Sequence, residues 1–115
     1  MAREANASLG LKKMDRALTA WRQATSGATP VQLFHTFVLV CLNEGIGVQA
    51  LADKAGASKG TMSRHLLDLS STLRNGEEGY GLLSRIQDPT SLRNVQYVLT
   101  NKGKLLKNQI EDALE

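Results

Sequence analysis

The stretch VQALADKAGASKGTMSRHLLDLS, Val48 to Ser70, constrains the chain most. Two apolar-patterned runs stand on either side of Gly56-Ala57-Ser58, so two short helices have to turn on three small residues. Gly56 permits a tight turn through its freedom at positive φ. Ser58 is a good N-cap for the following helix, which the pattern predicts over about residues 58–73. Within it, Met62, Leu66, Leu69 and Leu73 recur at steps of four, three and four, which is one stripe of a helix. A helix-turn-helix is built this way: the first helix braces the second, and the front of the second enters a DNA major groove. A packed helical hairpin with a solvated polar face satisfies the same pattern.

The face opposite the stripe bears on which of these it is. At about 100° per residue, Gly60, Ser63, Arg64, Leu67, Asp68 and Ser71 project away from it, with Lys59 and Thr61 on the flanks. Arg64 can bond guanine with two nitrogens or clamp a phosphate. Ser58, Thr61 and Ser63 are short donors suited to phosphates or bases at close range. Gly60 lets backbone approach closely, and the free N–H groups of a helix N-terminus attract phosphate.

The remaining elements follow from periodicity and turn chemistry. Leu11, Met14, Leu18 and Trp21 predict an N-terminal helix over 9–25, after a frayed end of about eight residues. Thr29-Pro30 reads as an N-cap and first helical residue of a second helix, Pro30 to about Glu44, with an apolar surface almost all round and Gly45 as its stop. Ile46-Gly47-Val48 is β-compatible. Leu82–Gln87 and Val95–Leu99 read as strands joined through Asp88-Pro89-Thr90-Ser91, a turn sequence. Thr100 caps a last helix with Leu105, Leu106, Ile110 and Leu114 expected on its buried side.

The expected fold is therefore mainly α with a small β-hairpin wing: a winged helix-turn-helix in the order α-α-β-α-α-β-β-α. One domain spans 1–115, with an N-terminal helix (9–25), a DNA-binding core (30–99) and a C-terminal helix (100–115). A hairpin directly after the 58–73 helix is a wing (about 82–99), and Arg85 and Arg93 flank its tip, where a wing meets the phosphate backbone or minor groove. Ordinary edge-strand charge is the plainer reading of each arginine alone; the joint order of elements is the more specific signal.

At these residues the chain resembles a family. LADKAGASKGTMSRHLLDL followed by GLLSRIQDPTSLRNVQYVLTNKGKLLKNQI is similar to the DNA-binding core of MarR-type winged-helix regulators. Leu51-Ala52, Gly56, Ser58, Thr61, Ser63-Arg64 and Leu66 match the helix-turn-helix part of the family pattern. Gly81-Leu82-Leu83, Arg85, Asp88 and Arg93 match the wing, and Leu99-Thr100 and Gly103 the entry to the last helix. The resemblance implies a transcriptional regulator that binds a palindromic operator as a homodimer. It implies DNA contacts at Ser58, Lys59, Thr61, Ser63, Arg64 and Arg93, and extends to Arg85; Gly60 joins them through its backbone. The join SSTLRNGEEGYG is longer and richer in glycine than the family pattern, which suggests a divergent branch of phage or mobile-element type. The family dimerises through its N-terminal helix and long C-terminal helices. The short last helix here shifts the expected interface toward the first, with Leu18 and Trp21 as dimer contacts; Trp21 reads equally well as a core residue on the second helix.

Composition narrows the alternatives. A formal net charge of +3 favours an anionic partner only slightly. Cys41, the single cysteine, excludes an intrachain disulfide; it lies in FVLVCLN, where an inert thiol is expected. His35 and His65 stand thirty residues apart with no zinc-site spacing, so no metal or cofactor is expected. His35 reads as a partly buried packing residue, and Glu77-Glu78 as a solvated turn. No glycine loop has a strand-turn-helix setting and no nucleophile, base and orienting acid cluster locally, so the chain does not read as an enzyme. The first fifteen residues lack an apolar core, and the longest apolar run has six residues, so neither a leader nor a membrane span is expected and the setting reads as cytoplasmic. The leading function is a sequence-specific double-stranded DNA-binding transcriptional regulator. The alternatives are a winged-helix protein-interaction module and a DNA-binding accessory factor of a phage or mobile element. The sequence names no effector.

Overall fold

The computed structural model describes residues 2–26, 28–73, 75–87, 89–90 and 95–115, with side chains from Ser8 onward. Among them the chain forms α1 (Ala2–Ala24), α2 (Val31–Leu42), α3 (Val48–Ala55), α4 (Lys59–Leu69), β1 (Leu83–Gln87), β2 (Val95–Leu99) and α5 (Asn101–Leu114). This is the winged helix-turn-helix order, with one change: the β-compatible segment at Ile46–Val48 supplies only a single bridge, Gly47 to Gln96, along the outer edge of β2. Glu44 covers the same edge, its Oε1 accepting from the Leu99 N–H at 2.6 Å. The edge strand is thus covered rather than left open for pairing.

α2 is the central element. Leu33, Thr36, Phe37 and Val40 are buried, as an apolar surface almost all round requires. Its start differs from expectation. Pro30 takes the N-cap position with no side-chain cap bond. The Thr29 hydroxyl is instead engaged by Trp21, whose indole Nε1 donates to Thr29 Oγ1 at 2.8 Å. Trp21 is 3% exposed and stacks on Phe34 with ring centroids 5.0 Å apart. It is therefore a core residue of its own chain, the second of the two roles its sequence position allows.

α1 begins at Ala2 rather than Leu9, because its first residues are rich in alanine, the best helix former. Its buried side is Ala17 and Trp21; Leu11, Met14 and Leu18 are 74%, 46% and 39% exposed, so most of the predicted stripe faces outward. α5 packs along α1. Thr100 caps α5 as expected, its Oγ1 accepting from the Gly103 N–H at 3.0 Å. The buried side of α5 is Gly103, Leu106 and Ile110. Leu105 and Leu114, expected inside, are 59% and 46% exposed. Leu105 lies one residue, roughly 100°, from the buried line, and Leu114 stands in the last turn.

The hairpin pairs β1 with β2 antiparallel, Leu83 opposite Leu99 and Arg85 opposite Tyr97. Leu83, Tyr97 and Leu99 turn inward and close the core at the base of the wing.

Candidate nucleic-acid interface

α3 and α4 form the helix-turn-helix. Gly56 ends α3 at φ +67, and its N–H returns to the carbonyls of Ala52 and Asp53, so the left-handed turn foreseen for this glycine is present. Ser58 then caps α4: its Oγ accepts from the Thr61 N–H at 3.1 Å and donates to Thr61 Oγ1 at 3.0 Å. The Ser58 hydroxyl is occupied by the cap, leaving the Thr61 hydroxyl hydrogen for an external acceptor. Met62, Leu66 and Leu69 are each 0% exposed, which docks one side of α4 in the core and turns the other outward. Ser58, Lys59, Gly60 and Thr61 are exposed; Ser63 and Arg64 are half-buried.

α4 ends at Leu69, short of the expected Leu73. Ser70 Oγ donates back to the Leu66 and Leu67 carbonyls at 2.8 and 3.2 Å, a local bond that competes with continued helix. The backbone N–H groups of Ser70, Ser71 and Thr72 all converge on the Leu67 carbonyl. The glycine-rich join then folds back over this end. Tyr80 N donates to the Asp68 carbonyl at 3.0 Å and Leu82 N to the Leu69 carbonyl at 2.8 Å. The carbonyls that a helix C-terminus leaves orphaned are satisfied by the join itself. Gly79 is required there, since a Cβ would stand 2.8 Å from the Thr72 nitrogen.

Between α4 and the wing lies a cleft of about 900 Å³, lined by Lys59, Ser63, Leu67 and Ser71 of α4, Gly47–Gln49 at the start of α3, and Arg85, Val95, Gln96 and Tyr97 of the hairpin. Among the described residues, its charged lining groups are the cations Lys59 and Arg85. Arg85 stands opposite Tyr97 across the hairpin; burial raises the Tyr97 pKa, and the neighbouring Arg85 and Arg64 guanidinium groups pull it back. The structure thus brings together Lys59, Ser63 and Arg85, while Gly60, Thr61 and Arg64 share the adjoining outer face with His65. Arg93 lies outside the described residues, as do Asp88 and Ser91 of the expected turn. Gln49 and Tyr97 join the cleft although the sequence singled out neither: the α3 start and the inward face of β2 meet only in three dimensions.

Arg64 has a partner not anticipated. Its Nε and Nη2 donate to Asp68 Oδ1 at 3.2 and 3.0 Å, and Nη2 also donates to the Thr72 carbonyl. The four-residue spacing was visible in sequence and is a known helix ion-pair distance.

On the far flank of α4, His35 and His65 line a smaller pocket of about 300 Å³ with Thr36, Ser58 and Thr61. Thr36 Oγ1 donates to the Gln32 carbonyl at 2.9 Å and lies 3.5 Å from His65 Nδ1. His35 is exposed rather than partly buried. Cys41 is half-buried, and burial pushes its thiol up to about 11, with Lys107 opposing and Glu111 and Glu44 adding. Among the described residues, no group of three or more His, Cys, Asp and Glu is placed to hold a metal, and no helix is long and apolar enough to cross a membrane.

Comparison of the fold with solved structures gives several likenesses. The crystal structure of RV1404 from Mycobacterium tuberculosis matches with a TM-score of 0.70 at 20% identity, over 97% of this chain and 70% of that one. A point mutant of MepR from S. aureus, solved bound to an oligodeoxyribonucleotide, matches with a TM-score of 0.69 at 17% identity, over 97% of this chain and 75% of that one. A MarR transcriptional regulator from Methanosarcina mazei Go1 matches with a TM-score of 0.64 at 20% identity, over 97% and 73%. In two further matches the chain spans 61% and 55% of the solved length. No family model and no curated protein matches the sequence. At these identities the likeness shows the fold: the chain has the winged helix-turn-helix architecture of MarR-family regulators.

Proposed function

We propose that the protein is a sequence-specific double-stranded DNA-binding transcriptional regulator, with α4 in the major groove and the hairpin against the backbone or minor groove. The observation that carries this reading is the cleft between α4 and the wing: among the described residues its charged groups are Lys59 and Arg85, and the exposed start of α4 stands at its mouth. Lys59, Arg85 and the α4 N-terminus supply phosphate contacts, which carry most of the affinity. Thr61, Ser63 and Arg64 face the base edges, with Gly60 allowing close approach; Ser58 contributes by holding the helix start. Arg93, outside the described residues, is proposed as a further phosphate contact from the family resemblance alone. That MepR was solved with an oligodeoxyribonucleotide on the same fold adds support.

The regulator acts as a homodimer in this reading, in the cytoplasm, where its DNA lies. Leu11, Met14 and Leu18 of α1 and Leu105 and Leu114 of α5 leave apolar surface on the two helices outside the DNA-binding core. Leu18, at 39% exposure, remains a candidate contact. No catalysis and no cofactor enter the reading.

Selection of bound sequences from a random duplex pool tests it. A palindromic consensus is the expected result, since a two-fold dimer reads two half-sites. A pool without enrichment at low salt points to a winged helix that holds a protein instead.

A further inference from the structure

The guanidinium of Arg64 is committed on one edge. Nε has one hydrogen and Nη2 has two; all three are donated, to Asp68 Oδ1 and to the Thr72 carbonyl. Only Nη1 remains. Reading guanine O6 and N7 takes two nitrogens of one planar fork. With the Asp68 and Thr72 bonds both closed, Arg64 has no complete fork to present.

Both partners are held in place. The Asp68 carbonyl accepts from Tyr80 N, and Thr72 N donates to Leu67 O at 3.2 Å. Thr72 also bridges Glu78 across the join, and Gly79 packs directly on its backbone. The long join that departs from the family pattern thus positions the third arm of the clamp. The Arg64 and Asp68 side chains are 33% and 18% exposed, so the pair is partly screened and can be opened by a competing acceptor.

We propose that Asp68 sets the selectivity of Arg64: it occupies the Arg64 fork in the free protein, and Arg64 reads a base edge only when the clamp opens. Asp68 is a positioning residue in this account and touches no base. The proposal rests on the reading that α4 enters a major groove.

The test uses the full chain, the duplex it enriches from a random pool and a scrambled duplex of equal length. Affinities are measured by fluorescence anisotropy for wild type, Asp68→Asn, Arg64→Ala and the double variant. Thermal melts by circular dichroism establish that each variant is folded. With the clamp as described, Asp68→Asn binds the enriched duplex about two- to fivefold tighter, the factor that release of a partly exposed ion pair allows. The scrambled duplex gains less, and the gain on the enriched duplex vanishes in the Arg64→Ala background. An equal gain on both duplexes, persisting without Arg64, overturns the proposal and leaves Asp68 as a charge that repels phosphate. A loss of affinity that depends on Arg64 also overturns it, because Asp68 then holds Arg64 in its reading pose. A wild-type chain that enriches no duplex removes the DNA reading itself and the proposal with it, a result separate from either variant outcome.

Discussion

Gly103 of α5 packs backbone to backbone on Leu82: a Cβ at Gly103 would stand 2.1 Å from the Leu82 carbonyl oxygen. The same carbonyl accepts from Thr100 N at 3.0 Å, and Thr100 Oγ1 donates to the Gly81 carbonyl at 2.7 Å. The start of α5 is thereby pinned to the foot of the wing. Gly103→Ala is expected to destabilise by about 3 kcal/mol, because the atom it meets is backbone and cannot rotate away. Urea unfolding followed by circular dichroism checks this; a loss below about 0.5 kcal/mol would show that the contact gives way easily.

Trp21 joins α1 to α2 by a ring stack on Phe34 and an indole bond to Thr29. Trp21→Ala is expected to cost about 3–5 kcal/mol, the range for losing a buried large aromatic. Trp21→Phe keeps a ring and loses the hydrogen bond, costing about 1 kcal/mol from the bond. Chemical denaturation of both variants separates the contributions; similar losses for the two would mean that the stack adds little.

Much of this fold was legible in local chemistry. Gly56, Ser58 and Thr100 act at the turn and caps where they were placed, because a cap depends on residues within three or four positions. The strand Val95–Leu99 was found by alternation alone. Apolar spacing failed where it could not tell which side of a helix meets a neighbour: Leu11, Met14, Leu18 and Leu105 lie outside, while Ala17 and Gly103 lie inside. Small residues set those close helix contacts, and a stripe drawn through large residues passes them by. The extent of α4 was overestimated because Ser70 bonds back to its own helix, an event apolar spacing does not encode. At the site, the exposed start of α4 was legible and the Arg64–Asp68 pair was overlooked, since the projection set both residues on one face without pairing them.

The Cys41 thiol, raised from 9.0 to about 11 chiefly by burial, stays protonated at neutral pH. Maleimide or iodoacetamide labelling of the native chain is expected to be slow below about pH 9, since the thiolate is the nucleophile. The sign for stability follows from the raised value. The folded chain holds this proton more tightly than the unfolded one, so the contribution is complete below about 9 and is lost as pH rises toward 11. Cys41→Ala is expected to flatten that part of the decline; an unchanged slope between the two pH values contradicts the assignment.

Lys59 and Arg85 are assigned to phosphates. Replacing either by alanine is expected to weaken binding on enriched and scrambled duplexes alike and to reduce the slope of log affinity against log salt by about one. Titrations at several salt concentrations read both quantities. A loss confined to the enriched duplex, with the slope unchanged, would assign these cations to base reading instead.

The central claim is that the start of α4 and the adjoining hairpin form the surface that meets DNA. Backbone amide shifts by NMR, recorded as the enriched duplex is added to the isotopically labelled chain, test it most directly. The account predicts the largest changes at Ser58–Arg64 and Ser84–Gln87. Changes centred on the exposed faces of α1 and α5, with the α4 start and hairpin unmoved at saturation, would contradict it.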